Sequence, residues 1–241
     1  MRPHDPGKPL RVLLCDADGC LFPSEEPAYE RSAEVMNAML AELGVDSRYT
    51  SEQLRRLHTG KNYRTTATVI CRDHGVDLPA DVLEHWVGVE RTAVTEHLRS
   101  RLRPDSEVQT ALDRLSSTFS TAVVSSSAAE RVDACLDATS LDGYFPRDHR
   151  FSAEDSLSVP RSKPDPAIYR LAGARLDARA ASAIAVEDSS VGTRAGVAAG
   201  YSVVGLLHFV PDAEREQREG DLLAAGAAAV VDSWEDLVAL I

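Results

Sequence analysis

The stretch Val12-Leu-Leu-Cys-Asp-Ala-Asp-Gly-Cys-Leu21 decides the fold, because an apolar run ends there in two carboxylates. Val12–Cys15 is long enough for a buried strand, and Asp16, Asp18 and Gly19 follow it directly. In an open α/β sheet, ligands bind at the carboxyl ends of the strands. An extended backbone would aim Asp16 and Asp18 to the same side, since one residue separates them. Two carboxylates this close repel each other unless a cation neutralises them, so the stretch predicts either a cation site or an acidic turn.

The composition is typical of a globular protein with one large domain, or with a core domain and an insertion. The chain has 241 residues, of which 44% are hydrophobic and 27% are charged. Its apolar runs are too short to span a membrane, and the polar, proline-rich residues 1–9 lack the apolar core of a signal peptide. We therefore expect a cytoplasmic protein that does not bind membranes. The four cysteines lack metal-ligand spacing, and we expect them to be reduced thiols.

The formal net charge of −12 bears on the partners of the protein. Binding to a nucleic-acid backbone requires a basic surface, so we expect no nucleic-acid partner. The acidic balance is equally consistent with plain solubility. We expect a monomer or a weak homodimer.

Short apolar segments alternate with amphipathic helical patterns over most of the chain. The strand candidates are Val12–Cys15, Thr121–Val124, Ala183–Val186, Ser202–Leu206 and the pair Val230–Val231. The helical patterns between and after them are Glu107–Leu115, Ala128–Leu136, Ala167–Leu171, Val191–Ala199 and Ser233–Leu240. Strands that alternate with helices predict an α/β fold with a doubly wound parallel sheet, covered by helices on both faces.

Residues 23–103 break this alternation, because they show helical patterns and no convincing strand. The patterns include Tyr29–Leu43, a helix opened by the capping residue Ser51, and a long helix from Pro79 to Leu98. We expect residues 23–103 to form an inserted α-helical cap domain over the carboxyl edge of the sheet. Residues 1–22 and 104–241 would form the α/β core domain.

Three further polar clusters follow strands or lie on loops that could return to the same edge. They are Ser125-Ser-Ser127, Lys163-Pro-Asp-Pro166 and Glu187-Asp188. Carboxylates suit Mg²⁺, which prefers oxygen ligands and commonly joins one or two carboxylates to a substrate phosphate. A serine hydroxyl and a lysine ammonium suit phosphate oxygens. Together with the aspartates of the first stretch, these side chains predict phosphoryl transfer without a P-loop.

The four clusters, in this order, resemble the motifs of the haloacid dehalogenase-like superfamily of aspartate-nucleophile hydrolases. Asp16-Ala-Asp-Gly19 matches its Asp-x-Asp-Gly motif, and Ser125 matches the Ser or Thr that ends an apolar strand. Lys163 matches the lysine before proline, and Glu187-Asp188 matches the acidic pair. The resemblance covers essentially the whole chain and implies a Rossmann-like core with a helical cap between the first and second motifs.

The resemblance implies roles for the carboxylates. Asp16 would be the nucleophile that forms an aspartyl phosphate. Asp18 would protonate the leaving alkoxide and then activate water. The Asp16 side chain, the Asp18 backbone carbonyl, Asp188 and Glu187 would hold Mg²⁺. An Asp at the second motif position also selects phosphate esters, since the dehalogenases and phosphonate-cleaving members of the superfamily lack it.

The resemblance also implies a site for the transferred phosphoryl group. Ser125, Ser126 and Lys163 would bind its oxygens, and Lys163 would also compensate the charge of the attacking carboxylate. For Ser126 and Ser127, helix capping is the favoured alternative.

The Val-Glu-Asp-Ser-x-x-Gly form around Glu187 looks like the branch that contains β-phosphoglucomutase and small sugar-phosphate phosphatases. The mutases carry a histidine where this chain has Ala28 and an asparagine where it has Ala129. The resemblance therefore implies a Mg²⁺-dependent phosphatase of a small-molecule phosphate monoester, such as a sugar or polyol phosphate. The alternatives are a β-phosphoglucomutase-like phosphosugar mutase, a nucleotide monophosphatase and a binding module that has lost catalysis.

Residues 57–64 resemble the cap loop that contacts the substrate in this branch. Lys61 and Arg64 could bind a second anionic group of the substrate, and Asn62 a sugar hydroxyl. The alternative is a solvated loop with two ordinary surface cations.

Overall fold

The computed structural model describes residues 11–58 and 62–241. Contacts within the chain divide it into two compact units. The sheet unit consists of Met1–Phe22 with Arg103–Ile241, and the helical unit consists of Pro23–Leu102. Among the described residues, none of the helices combines the length and the apolar character needed to cross a membrane.

The sheet unit contains, over its described residues, one sheet of six parallel strands. The strands are β1 (Arg11–Cys15), β2 (Phe119–Ser125), β3 (Arg150–Ser152), β4 (Ala183–Glu187), β5 (Ser202–Leu206) and β6 (Ala229–Val231). Their spatial order is β3-β2-β1-β4-β5-β6, so that β1 is central and pairs with β2 and β4. Chain order reverses direction at β1, which confirms the predicted doubly wound sheet and makes the ends of β1 and its neighbours the expected place for a ligand.

The helical unit contains four helices in its described residues. They are α1 (Glu25–Glu42), α2 (Ser51–His58), α3 (Tyr63–Asp73) and α4 (Ala80–Arg101). Their apolar faces share a core that includes Met36, Met39, Leu40, Ile70 and Trp86. This periodic burial explains why the helical patterns of α1 and α4 are readable in the sequence.

Two details of the helical unit differ from the sequence prediction. Ser51 is not the capping residue of α2, because the Gln53 N–H donates to Thr50 Oγ1 at 3.2 Å and the Thr50 N–H donates to Gln53 Oε1 at 2.9 Å. This reciprocal pair is a capping box that begins one residue earlier. Helix α3, which begins at Tyr63, was not predicted.

The helices of the sheet unit follow the strands as predicted, with one addition. They are α5 (Ser106–Leu115), α6 (Ala129–Ala138), α7 (Ala167–Leu176), α8 (Ser190–Ala198), α9 (Asp212–Ala224) and α10 (Trp234–Leu240). Helix α9 was missed because it is largely polar. Leu222 is its buried residue, and a single buried position does not produce a helical pattern of apolar residues. Strand β3 was missed because three residues are too few to show a period.

Apolar side chains fix α7 and α8 against the sheet. Ile168 and Tyr169 of α7 and Ala195 of α8 belong to one buried cluster with residues of β1, β2 and β4, such as Leu14 and Ala185. The four cysteines all lie among the described residues, and no disulfide joins them. The packing therefore holds the strand ends and the start of α7 in fixed positions without covalent links.

Candidate active site

The carboxyl ends of three neighbouring strands carry Asp16, Ser125 and Glu187. Ser125 and Glu187 are the last residues of β2 and β4, and Asp16 follows β1. The Asp16 N–H donates to the carbonyl of Val186 in β4 at 2.9 Å, which extends the strand pairing to the aspartate. These three side chains therefore start from one edge of the sheet, as the sequence predicted.

Lys163 lies among the carboxylates of this edge, on the loop that precedes α7. Its Nζ contacts Asp16 and donates to Glu187 Oε1 at 2.6 Å. The side chain is 5% exposed, so water screens these ion pairs weakly. Burial by itself lowers the pKa of Lys163, but Asp16 and Glu187 outweigh burial and hold that pKa above its ordinary value. The lysine is therefore a cation, placed to balance negative charge that arrives at Asp16.

Three carboxylates crowd this edge. Asp16, Glu187 and Asp188 are buried, and one oxygen of each lies within 4.8 Å of the others. Burial and then the charge of Glu187 raise the pKa of Asp16 to about 8, although Lys163 opposes the shift. Burial and the neighbouring Glu187 thus disfavour the ionised form of Asp16, and added positive charge at this edge would favour it. A buried cluster of carboxylate oxygens of this kind fits a divalent cation such as Mg²⁺.

Glycines permit this crowding at two positions. Gly19 has a φ of +79°, and a Cβ there would overlap the Asp188 carboxylate. A Cβ at Gly192 in α8 would overlap the Glu187 carboxylate. Gly19 is thus required both for its backbone conformation and for the close approach of a carboxylate, and Gly192 for the approach alone.

Three consecutive serines, Ser125–Ser127, begin at the last residue of β2, and each has a different partner. Ser125 Oγ accepts the Ser127 N–H at 2.9 Å, and Ser126 Oγ accepts the Lys163 N–H at 3.2 Å. Ser127 Oγ donates to Asp18 Oδ2 at 2.7 Å. The serines therefore connect the second motif to the lysine and to the second aspartate.

The expected capping role of Ser126 and Ser127 is wrong. The N-cap position of α6 is Ala128, which offers no side-chain hydrogen bond. The Asp155 carboxylate accepts the N–H of Ala129 instead, at 2.7 Å. An acidic side chain from the loop after β3 thus does the work that a local serine was expected to do.

The carboxylate of Asp18 lies apart from the three-carboxylate cluster. It is bound by Ser127 and by Arg131 of α6, whose Nη2 lies 3.3 Å from Asp18 Oδ1. The side chains of Asp18 and Arg131 are 23% and 24% exposed. The carboxylate of Asp18 is therefore not grouped with those of Asp16, Glu187 and Asp188, and the metal-binding role of its backbone carbonyl stays a prediction.

Two residues that the sequence analysis missed support the acidic pair. The buried Tyr169 hydroxyl donates to Glu187 Oε1 at 2.6 Å, and Arg218 of α9 donates to the Asp188 carbonyl at 2.9 Å. Arg218 Nη1 also lies 3.4 Å from Asp188 Oδ2. A tyrosine at helical spacing and an arginine in an unpredicted helix carry no local sign of these contacts.

The comparison with protein families decides the family of this chain. The family model described as haloacid dehalogenase-like hydrolase matches residues 10–200, a range that contains all four clusters. The chain belongs to the haloacid dehalogenase-like hydrolases. The resemblance stated from the motifs is thereby confirmed.

Three relatives show how this hydrolase compares with known proteins. It is 25% identical over 194 residues to a 6-phosphogluconate phosphatase of Escherichia coli K12, covering 80% of this chain and 81% of that one. A haloacid dehalogenase-like protein of Agrobacterium tumefaciens is 26% identical, with a TM-score of 0.72 and coverage of 96% and 97%. A family hydrolase of Deinococcus radiodurans, solved with bound phosphate and sodium, is 25% identical, with a TM-score of 0.66 and coverage of 96% and 95%.

The expected substrate-contacting residues of the helical unit have partners of their own. Asn62 is the N-cap of α3, and its Oδ1 accepts the Thr65 N–H at 3.0 Å. Arg64 forms an ion pair with Glu84. Lys61 lies outside the described residues. Contacts of Lys61, Asn62 and Arg64 with a substrate of this hydrolase therefore stay a prediction.

Proposed function

We propose that this hydrolase is a Mg²⁺-dependent phosphatase of small phosphate monoesters, with sugar or polyol phosphates as its substrate class. The observation that carries the proposal is the buried grouping of Asp16, Lys163, Glu187 and Asp188 at one sheet edge. The phosphatase name of the Escherichia coli relative and the phosphate bound in the Deinococcus radiodurans structure support it.

The first half of the reaction uses Asp16 as nucleophile and Asp18 as acid. An Asp16 oxygen bonds to phosphorus, and the bond from phosphorus to the leaving oxygen breaks with its electron pair on that oxygen. Asp18 gives the leaving oxygen a proton, so that an alcohol departs. Lys163, held at Asp16 and Glu187, compensates the charge of the phosphoryl oxygens, and Ser125 binds one of them.

The second half returns Asp16 to its starting state. Asp18, now ionised, takes a proton from water while the water oxygen bonds to phosphorus. The bond between phosphorus and the Asp16 oxygen breaks, and inorganic phosphate forms. The alcohol and phosphate together account for the ester and one water molecule.

The Mg²⁺ ligands would be Asp16, Asp188, the Asp18 carbonyl and Glu187. Glu187 Oε1 accepts from Lys163 and Tyr169, and Glu187 Oε2 accepts from Ser189 Oγ at 3.4 Å, so these three side chains orient the carboxylate that would serve the metal. When bound, the ion neutralises charge on the phosphoryl oxygens during attack by a carboxylate.

A screen of phosphorylated metabolites with Mg²⁺, read as released phosphate, tests the proposal. We expect turnover with sugar or polyol phosphates and no turnover by Asp16→Asn, whose amide has nearly the same shape as the carboxylate but cannot attack phosphorus. Residual activity of Asp16→Asn within about tenfold of wild type, a barrier change of about 1.4 kcal/mol, would show that Asp16 is not the nucleophile.

Time-resolved ³¹P NMR separates the phosphatase from a phosphosugar mutase. A phosphatase accumulates inorganic phosphate from a hexose monophosphate and needs no bisphosphate activator. We expect this result, because Ala28 and Ala129 stand where the mutases carry polar side chains. Isomerised sugar phosphate that forms much faster than free phosphate would instead establish the mutase.

A further inference from the structure

Two side chains to which the family motifs give no role bind the carboxylate of Asp18. Ser127 Oγ donates to Asp18 Oδ2 at 2.7 Å. Arg131 Nη2 lies 3.3 Å from Asp18 Oδ1 and forms an ion pair with it. Each carboxylate oxygen therefore has a donor, and the two contacts together restrict the rotation of the carboxyl group.

Ser127 is itself held on both sides of its peptide. Its N–H donates to Ser125 Oγ at 2.9 Å, and its carbonyl accepts from Ser152 Oγ at 2.8 Å. Ser152 belongs to β3, so a neighbouring strand anchors the serine that contacts Asp18. The hydroxyl of Ser127 thus starts from a backbone position that does not depend on a substrate.

Arg131 is held through its helix. It is the third residue of α6, and the first N–H of that helix, on Ala129, donates to the Asp155 carboxylate at 2.7 Å. The N–H of Asp155 in turn donates to Ser152 Oγ at 3.1 Å. The supports of Ser127 and Arg131 therefore converge on the short segment Ser152–Asp155.

We propose that Ser127 and Arg131 are positioning residues for Asp18, an inference that rests on the proposed function. They fix the carboxyl group so that one oxygen lies where the leaving oxygen of the ester forms. Proton transfer requires that oxygen at hydrogen-bond distance from the leaving oxygen. A misplacement of about 1 Å can cost roughly 100-fold in rate, so a carboxyl group free to rotate would be a poor acid.

Esters with different leaving groups distinguish positioning of the acid from a general structural role. An alkyl phosphate such as glycerol phosphate must receive a proton as its alkoxide departs, whereas p-nitrophenyl phosphate releases a stable phenolate without one. The parameter kcat/KM reports on the steps up to and including cleavage of the bond between phosphorus and the leaving oxygen. Loss of acid positioning therefore lowers kcat/KM for the alkyl ester much more than for the aryl ester, and a distorted site lowers both.

The variants to compare are Ser127→Ala, Arg131→Met and Arg131→Lys, with Asp18→Asn as the reference for a lost acid. We expect Ser127→Ala and Arg131→Met to lower the alkyl-to-aryl ratio of kcat/KM by about tenfold or more. Arg131→Lys keeps the charge and restores part of the loss. In the Asp18→Asn background, Ser127→Ala and Arg131→Met lower the ratio no further, because they act through Asp18.

Matched controls make the same chemical changes away from Asp18. Arg170 of α7 donates to the Ala198 carbonyl at 3.0 Å, and Ser182 Oγ donates to the Arg179 carbonyl at 3.3 Å. We expect Arg170→Met and Ser182→Ala to keep the wild-type ratio. Thermal unfolding of each variant shows whether it folds. If Arg131→Met does not fold, the Ser127→Ala and Arg131→Lys variants still test the positioning role.

Three outcomes overturn the inference in distinguishable ways. If the Ser127 and Arg131 variants slow both esters equally, or leave the ratio unchanged, the positioning role is wrong and the phosphatase function stands. If these variants lower the alkyl-to-aryl ratio of kcat/KM by the same factor in the Asp18→Asn background as in the wild type, they do not act through Asp18. If the wild-type protein with Mg²⁺ hydrolyses neither ester and no metabolite of the screen, the proposed function fails and the inference fails with it.

Discussion

The hydroxyl of Tyr169 donates to Glu187 Oε1 at 2.6 Å, inside the buried part of the site. The same oxygen accepts from Lys163 Nζ at 2.6 Å, and the Lys163 ammonium lies 5.2 Å from the centre of the Tyr169 ring. One carboxylate oxygen thus has two donors, which orients Glu187 and fixes where the lysine ammonium lies. Tyr169 and Glu187 are both fully buried, so water cannot replace Glu187 as the partner of the Tyr169 hydroxyl.

Tyr169→Phe removes this donor and keeps the ring. We expect a lower kcat and weaker binding of Mg²⁺, since Glu187 Oε1 loses one of its two donors. The loss of one partner of a buried charged group costs about 1–3 kcal/mol, which corresponds to a similar fall in stability. Steady-state kinetics against Mg²⁺ concentration and thermal unfolding measure both effects.

Tyr201→Phe is the matched control for this prediction. Tyr201 is also buried and its ring lies 6.2 Å from that of Tyr169, but its hydroxyl donates to the Ala178 carbonyl. Its loss should lower stability without changing the dependence of activity on Mg²⁺. Equal dependence on Mg²⁺ in Tyr169→Phe, Tyr201→Phe and the wild type would remove Tyr169 from the support of the metal site.

The crowded carboxylates predict that Asp16→Asn stabilises the metal-free protein, and that the gain grows with pH. Asp16 has a pKa of about 8 in the fold against 3.8 for a free side chain. The folded state therefore favours the neutral carboxyl group, and this contribution is complete below the lower value and lost as pH rises through the upper one. The amide of Asp16→Asn is neutral at every pH, so the variant loses no stability from this group over the same pH range.

Thermal unfolding with a chelator at about pH 5 and about pH 8.5 tests the sign of this effect. The melting temperature of Asp16→Asn minus that of the wild type should be larger at the higher pH. Asp177→Asn, at a side chain that is 87% exposed, reports what the same substitution does outside the site. A difference for Asp16→Asn that shrinks at the higher pH would mean that the fold favours the ionised carboxylate.

The motif residues could be predicted from the sequence because each lies next to a strand that the sequence marks clearly. Asp16 and Glu187 come directly after or at the end of short, wholly apolar segments, and parallel strands bring their carboxyl ends to one edge. The order of the clusters and the spacing of the strands therefore predicted the fold, the family and the edge at which the polar groups meet.

The supporting residues could not be predicted, because their contacts are made across the fold. Arg131 is separated from Asp18 by 113 residues and Arg218 from Asp188 by 30. Arg131 lies on a helix whose pattern shows amphipathicity and nothing about its partner, and Arg218 lies on the unpredicted α9. The edge strand β3, which anchors Ser127 through Ser152, is too short to recognise, so the origin of that support was also hidden.

Gly192→Ala is expected to disturb the site, because a Cβ at this position overlaps the Glu187 carboxylate. Glu187 cannot turn away without losing its contacts to Lys163 and Tyr169, so both stability and activity should fall. Gly88→Ala in α4 is the control, because a Cβ there meets nothing within 4 Å. In a helix interior alanine is favoured over glycine by about 1 kcal/mol, so the control should gain stability. A Gly192→Ala protein that matches wild type in unfolding and turnover would show that Glu187 has room to move.

Metal removal tests whether the three-carboxylate cluster holds a divalent cation that hydrolysis requires. Exhaustive chelation should abolish hydrolysis and Mg²⁺ should restore it, since Asp16, Glu187 and Asp188 are buried together and their oxygens suit a divalent cation. Ca²⁺ should bind and inhibit, because its longer bonds and higher coordination number would misplace Asp16 for attack. Calorimetric titration of Mg²⁺ into Asp188→Asn, and into Asp177→Asn as the exposed control, reports binding independently of turnover. Full activity after chelation, or equal Mg²⁺ affinity in the two variants, would show that the cluster does not hold the ion on which hydrolysis depends.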